Sequence, residues 1–213
     1  MPHALDDPGD PAPLPVPAVP SADPGKVVGL VGEAGSGLTR LGLVLLADPA
    51  RRGMVAAVDV RGWLCPAAAW EAGIPEERLV VVRCPDRGLW PKVTAALLDG
   101  ISGVYAEVPV GVPDAVLRRL AALARARAAA LLLRPVRGSL PAGFAHVRLA
   151  AGAVHWEGAD AGHGRLGRRR LVVHASGRGV LGIDRTLEVD DDGTDALRVV
   201  SGLAAAPAGR AAG

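Results

Sequence analysis

Aromatic side chains are scarce in this 213-residue sequence: four Trp, one Tyr and one Phe, 3% of the residues. Half the residues are hydrophobic all the same, so core volume has to come from Val, Leu and Ala. Lysine is nearly missing. Only Lys26 and Lys92 occur, and arginine carries the rest of the positive charge. With so much Ala, Gly and Pro this pattern indicates a high-GC coding bias, under which a single arginine carries little functional weight. Neither sign of charge is in excess. The 24 basic residues face 22 acidic ones, a net charge of +2, which gives no whole-chain case for nucleic-acid binding. Cysteine is limited to Cys65 and Cys84, 19 positions apart, with no C-x-x-C or metal spacing. A disulfide framework is not expected, and a cytoplasmic location fits. No apolar run reaches membrane length, so no membrane contact is expected. The acidic, proline-rich start does not read as a signal peptide.

What is present is organised around Val27–Thr39. A short apolar run leads into Gly32-Glu33-Ala34-Gly35-Ser36-Gly37-Leu38-Thr39, and an apolar helical pattern follows. This has the spacing of a phosphate-binding loop, G-x-x-x-x-G-K-[ST], at every fixed position but one. Gly32, Gly37 and Thr39 are in place, while Leu38 stands at the lysine position. In such a loop, backbone N–H groups and the helix dipole cradle phosphates, the lysine adds charge against them, and the hydroxyl holds Mg²⁺. Leucine keeps the shape and removes the charge. The candidate nucleotide-binding residues are therefore Gly32, Gly35, Ser36, Gly37 and Thr39. A tight strand-to-helix turn with no ligand is the competing account.

Residues 1–24 carry prolines at 2, 8, 11, 13, 15, 17, 20 and 24 and read as an extended, disordered arm. From residue 25 the pattern alternates strand and helix. Helices are expected over Leu38 to about Ala47, ending before Asp48-Pro49, through Trp70, over Leu89 to about Leu98, and from Pro113. Strands are expected at Met54–Asp59, 78–83, Gly103–Glu107 and Ala129–Leu133. That order argues for a mainly parallel sheet with helices on both faces. The last third changes character. His146–Leu149, Ala153–Glu157, Arg170–Ala175 and Arg185–Val189 read as strands of antiparallel hairpins that extend the sheet. Residues 191–213 form a tail in which Asp195–Ala205 reads as a short helix. Leu197, Val200 and Leu203 fall on one face of it and are candidate partner-binding residues.

Other clusters carry less. Arg165, Arg168, Arg169 and Arg170 could contact phosphates, but a solvated hairpin turn explains them more simply. His146, His155, His163 and His174 have no metal spacing, and Asp190-Asp191-Asp192 lacks the alternation of a Ca²⁺ loop, so no metal site is expected. Ser36, Ser139, Ser176 and Ser201 lack a nucleophile-elbow context.

Several blocks, in this order, resemble the RecA core. They are the loop Gly32–Thr39; Ala57-Val58-Asp59 with Pro66; Ala72–Leu79 and Cys84-Pro85-Asp86; the strand ending at Glu107; and Ala145–Leu149 before the hairpins. The match spans roughly residues 25–190 and implies a RecA-like P-loop fold. Within that superfamily the size and degeneracy are similar to ImuA-type proteins, most of all the short actinobacterial form. That resemblance implies a role in SOS-induced, error-prone translesion synthesis beside an ImuB-type Y-family-like partner, with an error-prone DnaE-type polymerase and RecA as further candidate partners.

The departures from the RecA pattern bear on chemistry. Leu38 replaces the phosphate lysine. The place near Val60-Arg61, where the family carries a water-activating glutamate, has no carboxylate. Glu107 supplies the only acid where the family places an aspartate near Mg²⁺, so it joins the candidate nucleotide site. Only Val108–Val112 and Arg134–Ala145 stand where RecA-type recombinases carry DNA-binding loops. The expectation is a pseudo-ATPase with no catalytic residues, no required cofactor and weak or no direct DNA binding, with ATP/Mg binding left open at the loop. An active or nucleotide-gated ATPase regulating repair, and a direct DNA-binding repair factor, are the alternatives.

Overall fold

The structure, a computed structural model, describes residues 21–158, 167–180, 185–191 and 198–204. Among these residues nine strands form one sheet: β1 (Val27–Val31), β2 (Val55–Asp59), β3 (Leu79–Arg83), β4 (Gly103–Val108), β5 (Ala130–Pro135), β6 (Val147–Glu157), β7 (Arg168–Ser176), β8 (Arg185–Asp191) and β9 (Arg198–Ala204). Their order across the sheet is β3-β2-β4-β5-β1-β6-β7-β8-β9. Every pairing from β3 to β6 is parallel, and those from β6 to β9 are antiparallel. Four helices, α1 (Leu38–Arg52), α2 (Pro66–Glu71), α3 (Trp90–Leu98) and α4 (Asp114–Ala126), make the crossovers.

Alternation along the strands sorts the apolar residues into two cores. Val28, Leu30, Val55, Ala57, Tyr105, Ala130 and Leu132 pack with Leu41, Leu45 and Leu46 of α1 and Ala69 of α2. Their neighbours in sequence, Val27, Val58, Val104, Ala106, Leu131 and Leu133, pack on the other face with Trp90 and Leu98 of α3 and Leu117, Leu120 and Ala124 of α4. Helices thus cover both faces of the parallel part. Leu171, Val173, Leu187 and Val189 of the antiparallel extension join the α1-side core.

Several expected boundaries move. α1 does not stop at Ala47 but runs through Pro49 to Arg52. A proline inside a helix costs about 3 kcal/mol, and tertiary contacts offset it here. The Pro49 ring lies against Gly103, where an added Cβ would come within 2.7 Å of it. Arg78 donates from Nη1 to the carbonyls of Ala50 and Arg51, both at 2.8 Å, and so caps the last turn. The arm does not extend to residue 24. Ala22 is buried in the α1-side core, and its carbonyl accepts a hydrogen bond from Arg52, so the domain includes residues 21–24. β5 runs on past Leu133 through Arg134 to Pro135. His146–Leu149 and Ala153–Glu157 are not two strands but one, β6, with an irregularity between Ala151 and Val154.

The tail is corrected too. Residues 198–204 are not helical; they form β9, paired antiparallel to β8. Val200 and Leu203 therefore stand in a strand and not in a helix, and Leu197 lies outside the described residues. The tertiary ladder overrides a short, weak helical pattern. Among the described residues no helix is long and apolar enough to cross a membrane.

One substitution and one truncation test this packing. At Gly42 an added Cβ would meet Leu30 Cδ1 and Tyr105 Cε2, each at 2.7 Å. Gly42→Ala gains about 1 kcal/mol in helix propensity and loses about 1–3 kcal/mol to overpacking. The net expectation is a lower midpoint in urea unfolding. A midpoint above that of the parent protein would contradict the close approach of α1 to the sheet. Deleting residues 192–213 removes β9 and strips β8 of its ladder partner, so the melting temperature should fall and aggregation rise. An unchanged melting temperature would mean that β9 contributes nothing to the domain.

Candidate functional site

The candidate residues sit where the parallel strands end at their C-termini, the usual ligand-binding end of an open α/β sheet. Period-2 alternation places them. Ala57 and Asp59, Tyr105 and Glu107, and Leu132 and Arg134 are each two apart, so the last member of each pair faces α1 as the first does. Register puts Glu107 directly beside Arg134 on adjacent parallel strands. The loop after β1 brings Thr39, in the first turn of α1, to the same place.

The loop keeps the geometry its spacing predicts. Gly35 and Gly37 are left-handed, with φ of 82° and 83°, a region that suits glycine and few other residues. Gly37 is the N-cap of α1, and no side chain caps that helix end, so its first N–H groups face the loop. Gly32 packs tightly. A Cβ there would meet Ala151 Cβ at 2.7 Å and Leu38 Cδ1 at 2.9 Å. Leu38 itself is fully buried in the α1-side core, so the side chain at the lysine position turns inward and away from the loop cavity. The Ser36 hydroxyl is buried and has no hydrogen-bond partner.

Glu107 is the centre of the site and is 3% exposed. Its Oε2 accepts from the backbone N–H groups of Val60 at 3.1 Å and Arg61 at 3.2 Å. Its Oε1 accepts from Arg61 Nε at 3.0 Å and in a second, short bond from Arg61 Nη2. Arg134 Nη1 stands 3.8 Å from the same oxygen. This hydrogen bonding, more than Coulomb attraction alone, raises the Arg61 guanidinium further above its ordinary pKa. Asp59 builds the turn that presents Arg61. It is buried, and its carboxylate accepts from the N–H groups of Gly62 at 2.8 Å, Trp63 at 3.3 Å and Leu64 at 3.1 Å. The exposed Trp63 ring lies over the Arg61 guanidinium, 4.7 Å from centroid to Cζ.

Arg134 joins the two halves of the site. Its Nη1 donates to Thr39 Oγ1 at 2.8 Å, and its Nη2 reaches the Glu33 carbonyl at 3.5 Å. Beneath them is Tyr105, whose phenol pKa is pushed up by burial, with the Arg134 charge opposing the rise. Ala34, Gly35, Thr39, Arg61, Trp63, Leu64, Glu107 and Arg134 together line a cavity of about 260 Å³.

Of the residues expected at the site, Gly35, Thr39 and Glu107 meet in this cavity. Gly32, Ser36 and Gly37 shape the loop behind it. Asp59 and Arg134 carry no signal in isolation, since each looks like the polar end of an apolar run; register alone makes them partners. Arg169 is a second surprise. It is not on a solvated hairpin turn but in β7, cross-strand from Trp156, with its guanidinium 5.3 Å from that ring. The same guanidinium approaches the loop, within 2.9 Å of where a Gly37 Cβ would be. Arg168 and Arg170 also lie in β7, and Arg165 is outside the described residues. Among the described residues no cluster of three or more His, Cys, Asp or Glu is placed to hold a metal ion.

A RecA-like fold implies Mg²⁺ at this position, and the donor set does not fit it. Mg²⁺ demands oxygen lone pairs in near-octahedral geometry. Glu107 has about four acceptor positions, and four N–H donors occupy them. The Thr39 oxygen already accepts from Arg134.

The Glu107 pairings make a stability test. Removing one partner of a buried ion pair leaves the other charge uncompensated, at a cost of about 3–5 kcal/mol. Glu107→Gln leaves two guanidinium groups facing each other and should lose stability of that order in denaturant unfolding. A change within experimental error would show that the carboxylate does not hold Arg61 and Arg134 in place.

No curated protein matches the sequence. Among solved structures, the fold is similar to the crystal structure of the RadB recombinase, with a TM-score of 0.54 and 16% sequence identity over 84% of this chain and 92% of that one. The fold is accordingly RecA-like. The family model described as the MT3502 N-terminal domain matches residues 18–141, which hold β1 to β5, all four helices and every residue lining the cavity. With more than half of its length matched, this chain belongs to the MT3502 N-terminal domain family.

Proposed function

We propose that this protein is a catalytically degenerate, RecA-like accessory factor in SOS-induced, error-prone translesion DNA synthesis. It works by assembly, through protein–protein contacts with an ImuB-type partner. The observation that carries the non-catalytic half is the occupation of Glu107 by Arg61. RecA-type turnover needs a carboxylate free to act near the metal and a water-activating acid after the second strand. Here the basic group at that second place is bonded to the acid at the first. Loss of such groups removes several kcal/mol of transition-state stabilisation, or several factors of ten in rate. Leu38 adds to this, because it supplies core packing where the family supplies a phosphate charge.

The assembly half rests on the sequence likeness to ImuA-type proteins and on the short connections after β4 and β5. Five residues, 109–113, separate β4 from α4, and eleven, 136–146, separate β5 from β6. Neither is long enough for an extended DNA-binding loop of the recombinase kind. Among the described residues β9 is the last strand at its end of the sheet, and its open edge supports a strand, in place of the expected helix, as the element a partner would meet.

Two measurements test the proposal. Purified protein should release no phosphate from ATP above background, and Leu38→Lys should not restore turnover, because Arg61 stays on Glu107. Sustained turnover abolished by Thr39→Ala would refute the pseudo-ATPase reading. Tagged full-length protein recovered from DNA-damaged cells should bring down a Y-family-like polymerase homologue. Recovery of single-stranded DNA filaments in place of such a partner would refute the accessory role.

A further inference from the structure

The disagreement between this site and Mg²⁺ leaves a question of charge. The cavity has two guanidinium groups, Arg61 and Arg134, and one carboxylate, Glu107, so it is net positive without any metal. In a site that uses a divalent cation, the cation supplies that positive charge and bridges phosphate oxygens to a carboxylate. Here the arginine side chains lie against both of the oxygens that would be its ligands: Arg61 on Glu107, and Arg134 on Thr39.

Two further features point to an anion. Arg134 is 4% exposed and lines the cavity, yet its Nε–H has no acceptor. Buried donors of this kind are rarely left unpaired, because each costs about 1–3 kcal/mol. The N-terminus of α1 opens on the loop with no capping side chain. The Arg134 donor in the cavity and the uncapped helix end beside it match an acceptor-rich, negatively charged group. A cavity of about 260 Å³ has room for a phosphate or pyrophosphate group and little more.

We infer that this cavity is a metal-independent phosphate site, in which Arg61 and Arg134 take over the part of the divalent cation and Mg²⁺ opposes binding. It rests on the non-catalytic reading above, since arginine-held phosphate has no hydrolytic metal. Mg²⁺ opposes binding in two ways. It lowers the negative charge of the ligand, and its own charge is brought against two guanidinium groups.

The test is calorimetry on the full-length protein with pyrophosphate, ADP and adenosine, in EDTA and in millimolar MgCl₂, with phosphate release from ATP measured on the same samples. Pyrophosphate and ADP should bind in EDTA and weaken by about tenfold in Mg²⁺, and adenosine should not bind. Similar affinity for pyrophosphate and ADP identifies a site for phosphate alone; tighter ADP binding identifies a nucleotide, and both support the inference. Arg134→Gln should abolish binding, with circular dichroism confirming the fold. Absence of pyrophosphate and ADP binding in EDTA, or binding that requires Mg²⁺, overturns the inference while leaving the non-catalytic reading intact. ATP turnover overturns that reading instead, whatever the binding data show.

Discussion

One buried carboxylate, that of Glu107, organises the C-terminal end of the sheet. It draws the backbone of the loop after β2 onto its Oε2 and the Arg61 side chain onto its Oε1, with Arg134 alongside. A charge this deeply buried is tolerated only when it is paired and hydrogen-bonded. Each of its partners is in turn held by something else. Asp59 fixes the turn carrying Arg61, Trp63 lies over the guanidinium, and Thr39 receives Arg134. Strands β2, β4 and β5 and the phosphate-loop helix are thereby tied together by polar groups at the one end of the sheet where apolar packing stops.

The same network stands beside a glycine-rich loop whose form is independent of it. The loop's form depends on glycines at left-handed positions and on close packing of Gly32 against Ala151, none of which needs a ligand. The lysine position is absorbed into the core by Leu38. Positive charge at the site comes from the neighbouring loop and strand end, as Arg61 and Arg134, with Arg169 approaching from β7. In an arginine-rich sequence these three do not stand out, yet they are the arginines that the fold gathers around the loop.

The antiparallel extension has its own logic. β6 is the last strand added in parallel, beside β1, and β7 to β9 follow it outward. Leu171, Val173, Leu187 and Val189 carry the α1-side core outward under the extension, so β7 and β8 belong to the domain and are not an appendage. The family match ends at residue 141, before this extension begins.

The sequence by itself determined the strand–helix alternation, the parallel sheet with helices on both faces, and the shape of the loop. These are local properties: apolar periodicity, glycine at positive φ and turn chemistry act over a few residues and can be read in order. It also showed that Leu38 breaks the lysine position and that Arg61 stands where an acid is expected. Only the tertiary structure decided the rest. Glu107 and Arg134 become neighbours through the register of β4 on β5, and Arg61 reaches Glu107 across 46 positions of sequence. α1 passes through Pro49 because packing on Gly103 and the capping of the last turn by Arg78, both distant in the chain, offset the proline's cost. The apolar pattern near the C-terminus suits a short helix and a strand about equally, and the open edge of β8 decided between them. Long-range pairing outweighs local preference wherever the local preference is weak.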